Sequence, residues 1–499
     1  MRDEDPIESD GRWRIVLGAV GAPLVFVALL LLPLPLPLPA HRLAAIFGAV
    51  LIAWVTEVIP IAATALLIAP LMVVLGVTDA SDAFRHYADP LLYLFVGGFF
   101  IAEAMSQHGL DRRIAKAVLT ARWVAGAPKR VRVALMVAGA LLSMWISNTA
   151  STAILIPILL KMLSGKDKKG ATGAILALAY ACSVGGLGTL VGSPPNVFTL
   201  RLLREGGVDL GFLDWSMIGL PTAMLVGLAV YGITRRMFPP ETAVGPDTTT
   251  AALEAFDDVP VRWSRGEVTT AVSFGLAVLG WTVPGVVKAL DLSFAATLSA
   301  TLKPGVVALL AASILFAVPD GKGARVLGWR RAARIDWGII LLFGGGIALG
   351  KQLVETRLAH RMSEGFIAVT GIEDLWVLTG VCAVFTIFFT EVCSNTATAN
   401  MLVPLVVATA AQLGVSPVPP ALAVGLAASC AFMLPIATGP NAIAYSSGRV
   451  RQSDMMRVGL VLNVVSAAIV FLVVRVLCPL YGWTEIPDPP TVEITAELR

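Results

Sequence analysis

The sequence predicts an all-α polytopic membrane protein of about 11 transmembrane helices plus two re-entrant hairpins, built as two inverted repeats. Three observations predict it: an apolar composition, two overlong apolar stretches interrupted by Ser, Asn and Thr, and short motifs that recur in one order. Hydrophobic residues make up 57% of the 499 residues and charged residues 14%, against about 25% charged in a soluble domain. A soluble fold is excluded, the lipid bilayer is the expected surrounding, and a net charge of +3 calls for no nucleic-acid partner. One span needs about 20 apolar residues, so the spans and their short loops use up the chain and leave no sizeable water-soluble domain.

Residues 1–40 read as a polar, acidic cytoplasmic N-terminus followed by a first helix near 15–33. The apolar run from Ile15 to Leu32 is too long for the core of a cleaved signal peptide. Pro33 to Pro39, where Pro and Leu alternate, ends the helix because proline has no N–H to donate. Further helices fall near 43–59, 61–77, 91–108, 172–202, 214–234, 267–286, 303–318, 337–354, 418–447 and 455–479. Stretches 133–162 and 376–413 are too long for one comfortable span. Each reads as a hairpin that enters the membrane and turns back, which requires a polar tip buried in protein or lining a wet cavity. The chain divides into a first repeat (41–236), a cytoplasmic linker (237–266), a second repeat (267–481) and an external tail (482–499).

Loop charges agree with this path. With a cytoplasmic N-terminus and both hairpins returning to their own side, the cytoplasmic loops hold 26 of the 37 Lys and Arg residues. That is the bias of the positive-inside rule, and counting either hairpin as a full span would put the basic loops beyond it on the wrong side. The expected location is a cell membrane, in a bacterium the inner one, with the C-terminus external.

The repeat rests on three anchors. Phe95-Val96-Gly97-Gly98 matches Phe343-Gly344-Gly345-Gly346 at an offset of 248, Ser147-Asn148-Thr149-Ala150 matches Ser394-Asn395-Thr396-Ala397 at 247, and Pro195-Asn196 matches Pro440-Asn441 at 245. Each anchor and its copy lie an odd number of spans apart, so the halves are inverted. Repeats of this kind put a binding site at mid-membrane between them.

The chemistry concentrates at the two tips. The first reads Ser143-Met144-Trp145-Ile146-Ser147-Asn148-Thr149-Ala150-Ser151-Thr152, the second Thr390-Glu391-Val392-Cys393-Ser394-Asn395-Thr396-Ala397-Thr398. Single Ser or Thr residues are common at helix contacts in membranes, but two matching clusters at two hairpin turns need another reason. A tip between half-helices offers free N–H groups and a positive dipole end to an anion, and free carbonyls to a cation. The helix after each hairpin contains a break, Gly192-Ser193-Pro194-Pro195-Asn196 and Thr438-Gly439-Pro440-Asn441, which would expose carbonyls beside the tips. Neither cluster holds Lys or Arg. A dianion bound there would be neutralised by helix dipoles or by accompanying cations, since each charge moved across 100 mV costs about 2.3 kcal/mol. Glu391 is the nearest carboxylate and reads first as a hydrogen-bonded structural group, second as a coupling site, while Glu57 and Glu103 carry no motif.

An enzyme or a receptor fits poorly. His41, His86, His108 and His360 are scattered near span ends without a partner nucleophile or metal motif. The five cysteines (Cys182, Cys382, Cys393, Cys430 and Cys478) form no CxxC pair and read as reduced packing residues.

Leu142 to Ala150, Ser394 to Ala397 and the two Pro-Asn breaks resemble the divalent anion:sodium symporter family of dicarboxylate, citrate and sulfate carriers, from about residue 40 onward. The resemblance implies a homodimeric transporter with an elevator movement and no organic cofactor. It implies substrate contacts at Ser147, Asn148, Thr149, Ser193, Ser394, Asn395, Thr396 and Thr438. It also implies one sodium site at Ser143, Ser147, Asn148 and Gly192 and another at Thr390, Cys393, Asn395 and Ala437, with sodium ions as co-transported cargo. The expected activity is sodium-coupled import of a C4-dicarboxylate such as succinate, malate or fumarate. One departure stands out: sodium-coupled members usually read Thr-Pro-Pro-Asn at the second break, and Gly439 replaces the first proline. A sodium-independent dicarboxylate exchanger and a sulfate carrier are the alternatives.

Overall fold

The computed structural model describes residues 12–124, 128–163, 167–208, 210–239, 256 and 259–486. The extreme N-terminus, most of the linker 237–266 and most of the tail 482–499 therefore lie outside the described residues.

The first half runs α1 (Arg12–Leu31), α2 (Leu38–Thr56), α3 (Ile61–Val74), α4 (Ala80–Arg85), α5 (Leu92–His108), α6 (Leu110–Leu119), α7 (Pro128–Ser143), α8 (Asn148–Met162), α9 (Lys168–Gly185), α10 (Pro194–Glu205) and α11 (Phe212–Met237). The second runs α12 (Arg265–Ala289), α13 (Ala295–Thr301), α14 (Pro304–Ala317), α15 (Trp329–Ala332), α16 (Trp337–Glu355), α17 (Leu358–Thr370), α18 (Leu375–Phe389), α19 (Asn395–Gln412), α20 (Val418–Ala427), α21 (Gly439–Ser446) and α22 (Gln452–Leu480). The described residues form no β-strand, and one isolated bridge joins Pro319 to Arg325. The expected polytopic helical class is what the chain forms.

Every expected span coincides with a helix, except that 172–202 and 418–447 each resolve into two half-helices, α9 with α10 and α20 with α21. Among the described residues seven helices are long and apolar enough to cross a membrane alone, and two bent pairs raise that to nine. The shortfall from 11 has a physical cause: α3 and α20 are short, and the breaks divide their spans. Five helices were not foreseen, the short α4, α13 and α15 and the longer α6 and α17. α6 and α17 follow α5 and α16 after left-handed residues, Gly109 (φ 74°) and Arg357 (φ 61°), and occupy matching places in the two halves.

Packing pairs the halves crosswise. α3 lies against α16, and α5 lies against α14. The repeated Gly-Gly motif makes both contacts possible. A Cβ on Gly97 would run into the Ala308 main chain, and one on Gly345 into the Ala65 main chain. Close main-chain approach between membrane helices depends on small residues of this kind. The crosswise pattern continues around the hairpins, where α8 packs on α21 and α19 packs on α10. Each hairpin therefore meets the broken helix of the other half as well as its own. The Tyr180 hydroxyl of α9 adds a link by donating to the Phe432 carbonyl at 2.8 Å, with the two rings 5.1 Å apart.

Candidate functional site

Both hairpin turns are built from one device. Ser147 is the N-cap of α8, its hydroxyl accepting from the Ala150 N–H at 3.1 Å, and Ser394 is the N-cap of α19, accepting from the Ala397 N–H at 3.2 Å. Each cap satisfies one of the helix's orphan donors. The N–H groups of Asn148 and Thr149, and of Asn395 and Thr396, sit in the first turn, where no intrahelical acceptor exists. The Asn side chains are fixed alike: the Ser143 hydroxyl donates to Asn148 Oδ1, and the Thr390 hydroxyl to Asn395 Oδ1 at 2.8 Å. Neither Asn side-chain nitrogen has a hydrogen-bond partner among the described residues. Each tip thus offers an amide NH2, two main-chain N–H groups and a helix dipole, a donor set suited to a carboxylate or another oxyanion.

The breaks behind the tips are also matched. Asn196 Nδ2 donates to the Gly186 carbonyl at 2.8 Å and the Thr189 carbonyl at 2.7 Å. Asn441 Nδ2 donates to the Ala431 carbonyl at 3.2 Å and the Leu434 carbonyl at 3.0 Å. In both cases the acceptors lie ten and seven residues upstream, so each Asn staples its unwound segment to the half-helix that follows. Both Oδ1 atoms are buried without a partner. The two breaks touch: the Ser193 and Ser429 hydroxyls are 2.8 Å apart, and both residues are buried.

The proposed first cation set comes together only in part. Gly186 packs so closely on Asn148 and on the Gly192 carbonyl that a Cβ there would collide with both, which brings Ser143, Asn148 and Gly192 into one cluster. Ser147 stands at the exposed end of the turn. In the second set the Thr390 hydroxyl lies near both Asn395 Oδ1 and the Ala428 carbonyl, at 2.8 and 2.9 Å. The Cys393 side chain instead joins the apolar cluster of α2, α3 and α16, and Ala437 lies in the unwound segment with its N–H on the Leu434 carbonyl. Of the expected anion contacts, Ser147 and Thr149 are exposed, Asn148, Ser394, Asn395 and Thr438 are half-buried, and Ser193 and Thr396 are buried. The Thr438 hydroxyl caps α21 by accepting from the Asn441 N–H.

Four further residues shape the site. Glu391 accepts from the N–H groups of Phe432, Met433 and Leu434 at 2.7, 2.8 and 3.0 Å and from Asn463 Nδ2 at 2.8 Å. That is the hydrogen-bonded structural role its position suggested. Thr189 does the corresponding work in the first half, donating to the Met144 carbonyl and accepting from the Gly192 N–H at 3.2 Å. No motif marked Thr189. Trp145, beside the first tip, packs against Phe212 and Trp281 at centroid distances of 6.2 and 6.3 Å, those two rings being 5.4 Å apart, and fixes the hairpin against α11 and α12. Gly439 proves to be a contact position: Thr149 lies against it so closely that a Cβ would overlap the threonine side chain.

Known proteins share this chain's length and pattern. A Haemophilus influenzae protein named only as a transporter is 33% identical over 436 residues, covering 85% of this chain and 89% of that one. The sodium-dependent dicarboxylate transporter SdcS of Staphylococcus aureus (strain USA300) is 31% identical over 454 residues, covering 87% of this chain and 85% of its own. The SdcS protein of Staphylococcus saprophyticus is 31% identical over 443 residues, covering 85% and 84%. Among solved structures, the YdaH transporter of Alcanivorax borkumensis aligns with 80% of this chain and 87% of its own at a TM-score of 0.46 and 14% identity, too distant to carry weight. The profile of the citrate transporter family, CitMHS, matches residues 51–425. With the paired tips, the stapled breaks and full-length relatives that are transporters, the chain is a multi-pass membrane transporter of the dicarboxylate and citrate type and belongs to the citrate transporter family.

Proposed function

We propose that this protein imports C4-dicarboxylates such as succinate, malate and fumarate, coupled to sodium, from a site shared by the two hairpin tips. The observation that carries the reading is the equivalence of the tips. Each has an Asn side chain pinned through its oxygen by a neighbouring hydroxyl, with its NH2 and two main-chain N–H groups unspent. Two such donor sets suit an anion with a carboxylate at each end. The unpartnered Oδ1 atoms of Asn196 and Asn441 add carbonyl oxygens suited to a hard cation. The SdcS relatives, named as sodium-dependent, favour sodium as that cation. Two sodium ions would cancel the charge of a dianion and a third would drive it into a negative cell. In this reading two copies work side by side in a bacterial inner membrane, N-termini cytoplasmic and C-termini external. Hairpins and broken helices move as one body in an elevator step.

Uptake of radiolabelled succinate by proteoliposomes tests the reading. Uptake into empty vesicles under an inward sodium gradient is expected, with none in potassium. Asn148→Ala and Asn395→Ala should each abolish it while leaving the chain folded. A second reading, sodium-independent exchange, is favoured by Gly439 at the position where sodium-coupled members of the resembled family carry proline. Uptake that ignores sodium and requires succinate preloaded inside would establish it. Sulfate in place of succinate separates a sulfate carrier from both.

A further inference from the structure

Away from the tips, a cavity of about 690 Å³ opens where α9 begins, α11 ends and α21 passes into α22. Its wall carries five cations, Lys168, Lys169, Arg449, Arg451 and Arg457, against one acid, Asp454. Asp454 is already committed to Arg451, with contacts of 2.8 and 3.1 Å. The other four cations have no ion-pair partner among the described residues and are exposed. The Thr172 hydroxyl, donating to the Arg449 carbonyl at 2.8 Å, holds the α21–α22 segment against α9. Behind the wall, Arg132 is 7% exposed, gives one nitrogen to the Gly170 carbonyl at 3.2 Å and leaves Nη1 buried without a partner. Segments far apart in sequence thus converge on one cavity whose wall carries four cations without an ion-pair partner among the described residues.

We propose that this cavity binds the phosphate of an acidic phospholipid headgroup. Four unpaired exposed cations in one concave site suit a phosphodiester, which cations near a membrane surface attract. The neighbourhood favours a lipid over a free anion. Met237 and Phe238, at the end of α11, give the cavity an apolar side, and α11 further exposes the apolar Met224, Leu225 and Leu228, as a lipid-facing helix does. The site is separate from the tips, so it holds whether or not the proposed substrate and coupling are right.

Native mass spectrometry of the full chain in detergent, with phosphatidylglycerol or phosphatidylcholine added, is the test. The wild type is expected to retain phosphatidylglycerol at a concentration about tenfold below that needed for phosphatidylcholine. The triple variant Lys168→Gln, Lys169→Gln, Arg449→Gln should lose the preference, and millimolar inorganic phosphate should leave the bound lipid in place. Equal retention of the two lipids, or an unchanged preference in the variant, overturns the proposal. Displacement by phosphate overturns the lipid assignment in favour of a free-anion site. Should the triple variant fail to fold, the single Arg457→Gln variant and the salt dependence of wild-type retention decide: a preference indifferent to both overturns it as well.

Discussion

The two breaks perform one task with different chemistry. In the first half a hydroxyl, that of Thr189, ties the unwound segment to the main-chain carbonyl of Met144. In the second, the residue matching Met144 is Glu391, whose carboxylate gathers three consecutive N–H groups and an Asn side chain. The tips diverge as well, since Thr149 is exposed where its counterpart Thr396 is buried. The repeat therefore holds the backbone course and the Asn staples constant, while the group that closes each break is free to change. What is shared marks the common function, and what differs marks where the halves are unequal in stability.

The largest expected effect separates those closures. Glu391→Ala strands four donors, those of Phe432 and Asn463 buried and those of Met433 and Leu434 half-buried, and should cost at least about 3 kcal/mol, whereas Thr189→Val should cost about 1–2 kcal/mol. Thermal unfolding of the purified protein in detergent measures both, and equal losses would break the comparison. The staples should behave alike: Asn196→Leu and Asn441→Leu each remove two hydrogen bonds and should each destabilise by about 2 kcal/mol. A difference greater than about 1 kcal/mol between them would mean that the breaks are not equivalent after all. Next comes the cross-half contact. Gly439→Ala, which pushes a methyl into Thr149, should cost about 1–3 kcal/mol, part of it restored when Thr149→Ala is added. Pro194→Ala, at the matching place in the first half, should cost under about 1 kcal/mol. Small effects are also expected for Ser143→Ala and Thr390→Ala, about 1 kcal/mol each. Their sharper signature is a raised sodium requirement for succinate uptake, and an unaltered sodium curve in both would remove these hydroxyls from the cation site.

Much of this was legible in the sequence because membrane helices declare themselves by apolar length and their interruptions by polar or proline residues. Ser147-Asn148-Thr149 and Pro440-Asn441 stand out for that reason, and the recurrence of Phe95 to Gly98 at Phe343 to Gly346 marked two helices that each meet the other half through a glycine, Gly97 against Ala308 and Gly345 against Ala65. The partners of Glu391 were not legible. Three of its four donors are main-chain N–H groups at Phe432, Met433 and Leu434, and main chain has no sequence signature. Thr189 stayed hidden because its one distinguishing bond crosses to Met144, in another element. α6 and α17 escaped notice for a different reason: a short helix carrying charge, such as Leu110–Leu119 with Asp111, Arg112, Arg113 and Lys116, reads as a basic loop when spans are sought by hydropathy alone.

The crosswise packing of the hairpins also sets a timetable for synthesis. α8, which begins at Asn148, rests on α21, which begins at Gly439. Roughly 300 residues separate the two, so at about 5–20 residues per second the ribosome needs on the order of 15–60 s to supply the partner. Throughout that interval the first hairpin carries its polar turn in the membrane without the surface that covers it. The nascent first half is thus a waiting intermediate, and chaperoning by the insertion machinery matters most for this chain between completion of its first repeat and arrival of the second break.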